Sequence, residues 1–265
     1  MANTLLQVDV PWGQQKPPYG KKLRKEFWQR GTPSRWLLNE GAGATTFDCS
    51  GQGNNGTIKN GIVWVSTPYG LGVKNAAVAN GGITTTCNIA STTQATIWMW
   101  LIVLAKTNSV NKRYWTSNGG LFICYDDSTH FVTSNNVGAT LCTITGGTNF
   151  ALNTPYMLAL VVNGINETMY LNGIVDGTGT GTFAGVGSQT LIWNGQGGGA
   201  FPSPNCIMLQ GGFLPNVALT AAQVRQLYAP YADIEPRRYV LPVVQAAAGA
   251  SGLLLRRRRE AALAA

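Results

Sequence analysis

The chain has 265 residues, 45% of them hydrophobic but only 11% charged, and a formal net charge of +8. That length fits one large β-sandwich or two small domains, and so few charges, replaced by Gly, Thr, Ser and Asn, suit sheets and turns more than helices. The longest apolar run, 95–105, is too short for a membrane helix, which needs about 20 residues.

The charge is divided along the chain. Lys16, Lys21, Lys22, Arg24, Lys25, Arg30 and Arg35 crowd the first segment against Asp9 and Glu26. Arg237, Arg238 and the run Arg256, Arg257, Arg258 and Arg259 crowd the last against Glu235 and Glu260. The middle is close to neutral, so contacts outside the body are expected from the two ends. The first residues have no basic n-region or apolar h-region, so no secretion signal is expected. The cysteines, Cys49, Cys87, Cys124, Cys142 and Cys206, have no CxxC spacing. They are expected to be reduced, small buried apolar residues rather than zinc ligands.

In chain order, residues 1–32 read as an arm. Pro11, Gly13, Pro17, Pro18 and Gly20 interrupt regular structure. Trp12, Tyr19, Phe27 and Trp28 are interleaved with the basic residues, which disordered tails usually lack, so the arm is expected to dock on a partner. Strands follow at 35–39, 56–60, 61–65, 71–79, 82–87, 96–105, 113–116, 121–125, 130–134, 137–143, 156–163, 167–171, 190–193 and 206–213. Asn172-Gly173 is a two-residue hairpin signal into Ile174 and Val175. Short strands with turns every eight to twelve residues or so predict a two-sheet antiparallel sandwich. The run 96–105 reads as a strand buried on both faces. One helix is predicted at 221–228. Thr220 and Gln223 form a capping box, Leu219 and Val224 a hydrophobic staple, and Pro230 a stop. Residues after 233 form a basic tail. The expected domains are therefore an arm over 1–32, a sandwich over 33–233 and a tail over 234–265.

Three segments carry a family likeness. They are WLLNEGAGATTFDCSGQGNNG at 36–56, TMYLNGI at 168–174, and FLPNVALTAAQVRQLY at 213–228. Together they resemble the laminin-G-like, concanavalin A-like jelly rolls, in the order that fold uses them. The segment APYADIEPRR at 229–238 is similar to endings of phage virion proteins that carry this domain. The resemblance implies an all-β jelly-roll sandwich with one short C-terminal helix and extended terminal arms, and it does not imply an enzyme.

Glucanases of related fold need two close carboxylates, and their Glu-x-Asp-x-x-Glu strand pattern is absent here. Asp126 and Asp127 are adjacent, and a turn is expected there. The only histidine, His130, has no Gly-x-Ser-x-Gly elbow to serve and reads as a packed or surface residue. No catalytic residue and no cofactor are expected. Calcium is the metal to weigh, with Asp48, Asn54 and Asn55 as donors. Calcium wants six to eight oxygens, and an Asx turn at Asp48 is the favoured reading. Sugar stacking would need exposed rings. Trp64, Trp98, Trp100, Trp115 and Trp193 are candidates. Trp98 and Trp100 are expected in the core, and Trp115 and Trp193 lie near loops where exposure is possible.

The favoured function is a non-enzymatic phage virion protein, a capsid decoration (cement) protein sitting on the capsid surface after assembly in the host cytoplasm. Its partners would be the major capsid protein or other virion subunits, and it would form a homo-oligomer, a trimer by analogy. The partner-binding residues would be Lys21, Lys22, Arg24, Lys25, Trp28, Arg237, Arg238 and Arg256, Arg257, Arg258 and Arg259. The alternative is a carbohydrate- or receptor-binding module of a head or tail fibre, with Trp115 and Trp193 on the sugar. Nucleic-acid contact by the arginine run is a third reading, less favoured than an acidic protein surface. No membrane partner is expected.

Overall fold

In the computed structural model, the described residues are 4–9, 34–59, 61–75, 81–89, 93–106, 113–117, 122–135, 142–181, 187–194, 204–232 and 238–243. They divide into two units, Pro11–Glu235 and a terminal unit of Met1–Val10 with Pro236–Ala265.

The larger unit is a sandwich of two antiparallel sheets. The first contains β3 (Thr45–Thr46), β4 (Gly56–Ile58), β7 (Ile83–Ile89), β9 (Trp115–Ser117), β10 (Phe122–Asp126), β11 (Phe131–Asn135), β12 (Cys142–Thr145) and β16 (Gly187–Trp193). Its order is β12-β11-β10-β9-β16-β7-β4-β3. The second contains β5 (Ile62–Thr67), β6 (Gly70–Asn75), β8 (Gln94–Val103), β13 (Pro155–Asn163), β14 (Asn166–Leu171), β15 (Ile174–Thr180) and β17 (Cys206–Pro215). Its order is β15-β14-β13-β8-β17-β6-β5, with β2 (Ser34–Trp36) paired to β17 off that path. The two-sheet sandwich expected from the sequence is the observed fold.

Strand β8 explains the unbroken apolar run. Side chains alternate across a strand. Ile97, Met99, Leu101 and Val103 enter the core between the sheets, against Trp36, Phe131, Leu158, Leu160, Trp193 and Phe213. Trp98, Trp100 and Ile102 face the other way, into a second apolar layer with Met157, Ala159, Leu209, Leu219, Val224 and Leu227. That layer lies under helix α1 (Ala221–Ala232). Trp98 and Trp100 are thus buried as expected, but beneath the helix rather than between the sheets. Trp100 stacks on Tyr228 of α1, with centroids 5.5 Å apart. The Trp98 ring fits because residue 212 is glycine; a Cβ there would lie 2.6 Å from the indole.

The helix starts as its sequence requires. The Thr220 backbone N–H donates to Gln223 Oε1 at 2.8 Å, and the Gln223 N–H donates to Thr220 Oγ1 at 3.3 Å. Its end differs. α1 runs to Ala232, through Pro230, where a stop was expected. Proline removes one N–H bond and disfavours the helix at the residue before it, yet the last turn continues past it. The predicted hairpin holds as well. Asn172 and Gly173 have φ of 52° and 77°, as a two-residue turn between right-twisted strands demands. The following strand is longer than expected. β15 reaches Thr180 because Gly177 and Gly179 let its backbone lie against Ile144 and Cys142 of β12. β3, inside the turn-rich 36–56 stretch, was not anticipated; of the expected strands 71–79, 121–125 and 137–143, residues 76–79, 121 and 137–141 lie outside the described residues, and bounds elsewhere shift by a few residues.

The terminal unit contains one element that the sequence concealed. β1 (Thr4–Asp9) pairs antiparallel with β18 (Arg238–Val243), from Thr4↔Val243 to Asp9↔Arg238. Both strands of a two-stranded ribbon are edges, so Pro242 is tolerated.

Substituting Gly212→Ala should destabilise the protein by about 1–3 kcal/mol through overpacking against Trp98. Thermal or urea unfolding checks this, and an unchanged midpoint would contradict the placement of that ring.

Candidate functional site

Trp115 and Trp193, the rings expected to be available for a sugar, are both fully buried. They face each other across the β9–β16 register on the inner side of the first sheet. Trp193 Nε1 donates to Thr85 Oγ1 at 3.2 Å, and its ring lies 5.4 Å from that of Trp36. Position near a loop in sequence misled, because the inward side of these short strands is the core side. Neither ring has a free face for stacking. Of the five tryptophans considered, Trp64 alone is half-buried; its Nε1 donates to Gly43 O at 3.1 Å.

Asp48 is a turn-former. Its Oδ1 accepts N–H groups from Arg35 and Ser50, both at 2.9 Å. Its Oδ2 accepts the Ser50 hydroxyl at 2.8 Å and the Asn54 N–H at 3.1 Å. Asn55 Oδ1 accepts the Asp48 N–H, the Asn54 carbonyl accepts Trp36 Nε1, and Asn54 Nδ2 donates to Ser34 Oγ. Every one of these carboxylate and carbonyl oxygens faces a hydrogen donor. The donor set does not fit calcium, which needs the same lone pairs. Among the described residues no group of three or more His, Cys, Asp or Glu is placed to hold a metal.

The partner-binding candidates Lys21, Lys22, Arg24, Lys25, Trp28, Arg237, Arg256, Arg257, Arg258 and Arg259 lie outside the described residues. Arg238 opens β18, its backbone opposite Asp9.

The structure instead brings together a rim of loops at one end of the sandwich. The β10–β11 turn, 127–130, is set by two aspartates with opposite roles. Asp126 is fully buried; its Oδ2 accepts the Tyr114 hydroxyl at 2.7 Å, and its Oδ1 accepts the Ser128 N–H at 3.0 Å. Asp127 points outward. Its Oδ1 accepts the N–H of Thr129 at 2.8 Å and of His130 at 2.6 Å, and its Oδ2 lies 3.2 Å from His130 Nδ1. Burial opposes the Asp127 charge, but the His130 and Thr129 N–H groups and the His130 ring outweigh it, so its carboxyl is held below its usual value.

The β12–β13 loop is stitched to this turn. The Phe150 N–H donates to Thr129 O at 3.1 Å, and the Phe150 ring stacks on Phe131 at 4.5 Å. Lys106 Nζ lies over the Phe150 ring, 4.8 Å from its centroid. The Gly147 N–H donates to Asp176 O at 2.9 Å, and the Thr148 hydroxyl donates to Asp176 Oδ1. The Ala151 N–H donates to Tyr156 Oη at 2.9 Å, and the Asn153 N–H to Val103 O at 2.8 Å. Exposed Leu152, Ile174 and Val175 lie on the same loop and strand segments as these polar groups. The Asp-Asp-Ser-Thr-His run was a legible turn signal. The roles of Lys106, Thr148, Leu152 and Asp176 were not legible, because three separate loops must converge to reveal them.

This rim positions hydrogen-bonding groups around one imidazole. The His130 ring bonds Asp127, with Nδ1 3.2 Å from Oδ2. The thiols of Cys124, Cys142 and Cys206 are free and buried, as expected, Cys49 is exposed, against the expectation, and the Cys87 side chain lies outside the described residues. Burial, then neighbouring Asp126, pushes the Cys124 and Cys206 thiols up. Burial, then Glu167, pushes Cys142 up to about 11. Burial, with Asp126 and the nearby thiols, raises Tyr114 too. Thiols held protonated in this way are inert.

No family model and no curated protein sequence matches the chain. Solved structures do. The binding domain of Paraclostridial Mosquitocidal Protein 1 matches with a TM-score of 0.62 at 15% identity, covering 78% of this chain and 53% of that one. A Trypanosoma rangeli sialidase in complex with 2,3-difluorosialic acid matches at 0.56 and 13%, covering 74% and 32%. The botulinum neurotoxin type G receptor binding domain matches at 0.53 and 12%, covering 76% and 51%. This chain thus spans about half, or a third, of the chains it matches. At these identities the likeness establishes a shared jelly-roll-like β-sandwich.

The raised thiol and phenol values set an alkaline limit on stability. Their neutral forms are favoured by folding, so the contribution is full below the unfolded thiol value of 9.0 and is lost as pH rises above it, when unfolded thiols ionise and folded ones do not. The Cys142 share is spent near pH 11. Urea midpoints should therefore fall steadily between about pH 9 and pH 11, the window these values define; a flat profile would contradict the buried placement.

Proposed function

We propose that this protein is a non-catalytic binding module that recognises a carbohydrate-bearing receptor with the rim made by residues 127–130, 146–154 and 174–176. One observation carries the reading: a rigid sandwich holds Asp127, His130, Thr148 and Asp176 by hydrogen bonds on segments that also expose Leu152, Ile174 and Val175. Fixed polar groups next to apolar surface are what a sugar, with its hydroxyls and C–H faces, requires. Loops on a stiff scaffold are where β-sandwiches place such contacts. The structural likeness to toxin binding domains supports a binding role.

A second reading is a capsid decoration protein whose ends hold the major capsid protein or other virion subunits. The terminal ribbon of β1 and β18 favours it, since it joins the backbones of the chain's two extremities in a unit separate from the sandwich. Electron microscopy of particles assembled without this protein tests that reading; unchanged density and shell stability would remove it.

The binding reading is tested by a glycan array with the full chain. Retention of a defined glycan class is expected. His130→Ala with Leu152→Ser should weaken binding at least about tenfold, as losing one hydrogen-bonding and one apolar contact implies. Absence of any retained glycan, or undiminished binding by the folded double variant, would overturn it.

A further inference from the structure

The two sheets have four edges, and three of them are blunted. β3 is two residues long and β12 four. β15 carries Asp176, Gly177 and Gly179, faces a register shift in β14, and packs those glycines against β12. Short length, bulges and charge are the usual protections of an edge. β5, the outermost strand of the second sheet, has none of them. Its sequence, IVWVST, contains no charge, no proline and no glycine, and it is in unbroken register with β6 from Ile62↔Asn75 to Thr67↔Gly70. Among the described residues its one further backbone bond is from Ile62 N–H to Lys59 O, at the start of the strand. Val63 is 46% exposed. The strand is also held in place: Trp64 packs on the inter-sheet core and bonds Gly43 O. Among the described residues the result is a regular, preformed row of backbone donors and acceptors that no other strand pairs.

We propose that β5 is an assembly edge, and that its occupant is the β5 strand of a second copy of this chain, paired antiparallel about a twofold axis through Trp64. A twofold interface must be self-complementary, and this strand is. Val63 and Val65 flank Trp64 symmetrically, so each Val63 faces a Val65 and the two Trp64 residues face each other. No like charges meet in that register, which would be costly for directly opposed residues. The nearest charges fall clear of the pairing. Lys59 would lie beside Tyr69 of the second copy, and Lys74 sits one strand inward, opposite Val63 of its own chain. Two second sheets would then run into one across the dyad. The proposal stands independently of the rim and of its ligand.

Sedimentation velocity of the full chain over micromolar to millimolar concentrations tests it. A reversible monomer–dimer equilibrium is expected. Val63→Lys, a natural type of edge-blocking residue, should shift the dissociation constant at least about tenfold toward monomer. Mixing Val63→Lys chains with Val65→Glu chains places opposite charges across the dyad and should restore a mixed dimer. Val175→Lys, on the opposite edge, should leave the equilibrium unchanged, and circular dichroism should show all variants folded. A wild-type chain that stays monomeric throughout, an assembly untouched by Val63→Lys, or one dissolved by Val175→Lys would overturn the proposal.

Discussion

Burying both faces of one strand joins the three layers of this protein. β8 gives alternate side chains to the space between the sheets and to the layer under α1. Fully burying a large aliphatic or aromatic side chain contributes about 1.5–3 kcal/mol. β8 has nine consecutive buried residues, more than any other strand shows among the described residues. It lies between β13 and β17, hydrogen-bonded along its length to both. If the helix were absent, Trp98, Trp100 and Ile102 would form an exposed apolar stripe, a liability in any monomer. The capping box at Thr220 and Gln223 and the buried pair Leu219 and Val224 are therefore what make the outer face of the second sheet tolerable.

The same rigidity reaches the loops. The rim at 127–130 and 146–154 is short of regular structure, yet it is anchored into strands at several points. Buried Asp126 fixes Ser128, Asn153 bonds the end of β8, and the Phe150 ring lies on core residue Phe131. A loop surface built this way would lose little conformational freedom on binding a ligand. Its chemistry is positional, with a carboxylate, an imidazole and hydroxyls held beside aliphatic surface and the buried thiols and phenol locked in their neutral forms.

Much of the fold was legible because its signals are local. The Asn172-Gly173 turn, the Thr220 cap, the Asx turn at Asp48 and the double-faced run at 95–105 each need only a few neighbouring residues to be read. Directions and long-range pairings were not. Nothing local distinguishes Trp193, pointing into the core, from a tryptophan pointing out beside a loop. The β1–β18 ribbon pairs residues from opposite ends of the chain, which no periodicity reveals. Pro230 carries a stop signal, yet the helix passes through it. The candidate site was least legible of all, since Lys106, Asp127, Thr148 and Asp176 are scattered in sequence and meet only through the convergence of loops.

Native-state hydrogen exchange of the full chain tests the dependence on β8 most directly. If two-sided burial of this strand holds the layers together, the amides of residues 96–103 exchange only through global unfolding. Those of β13 and β17 exchange with them, and a Val224→Ala change in the helix lowers the protection of all three strands together. Exchange of β8 by local opening, faster than β10 or β11 and indifferent to the helix, would contradict the account.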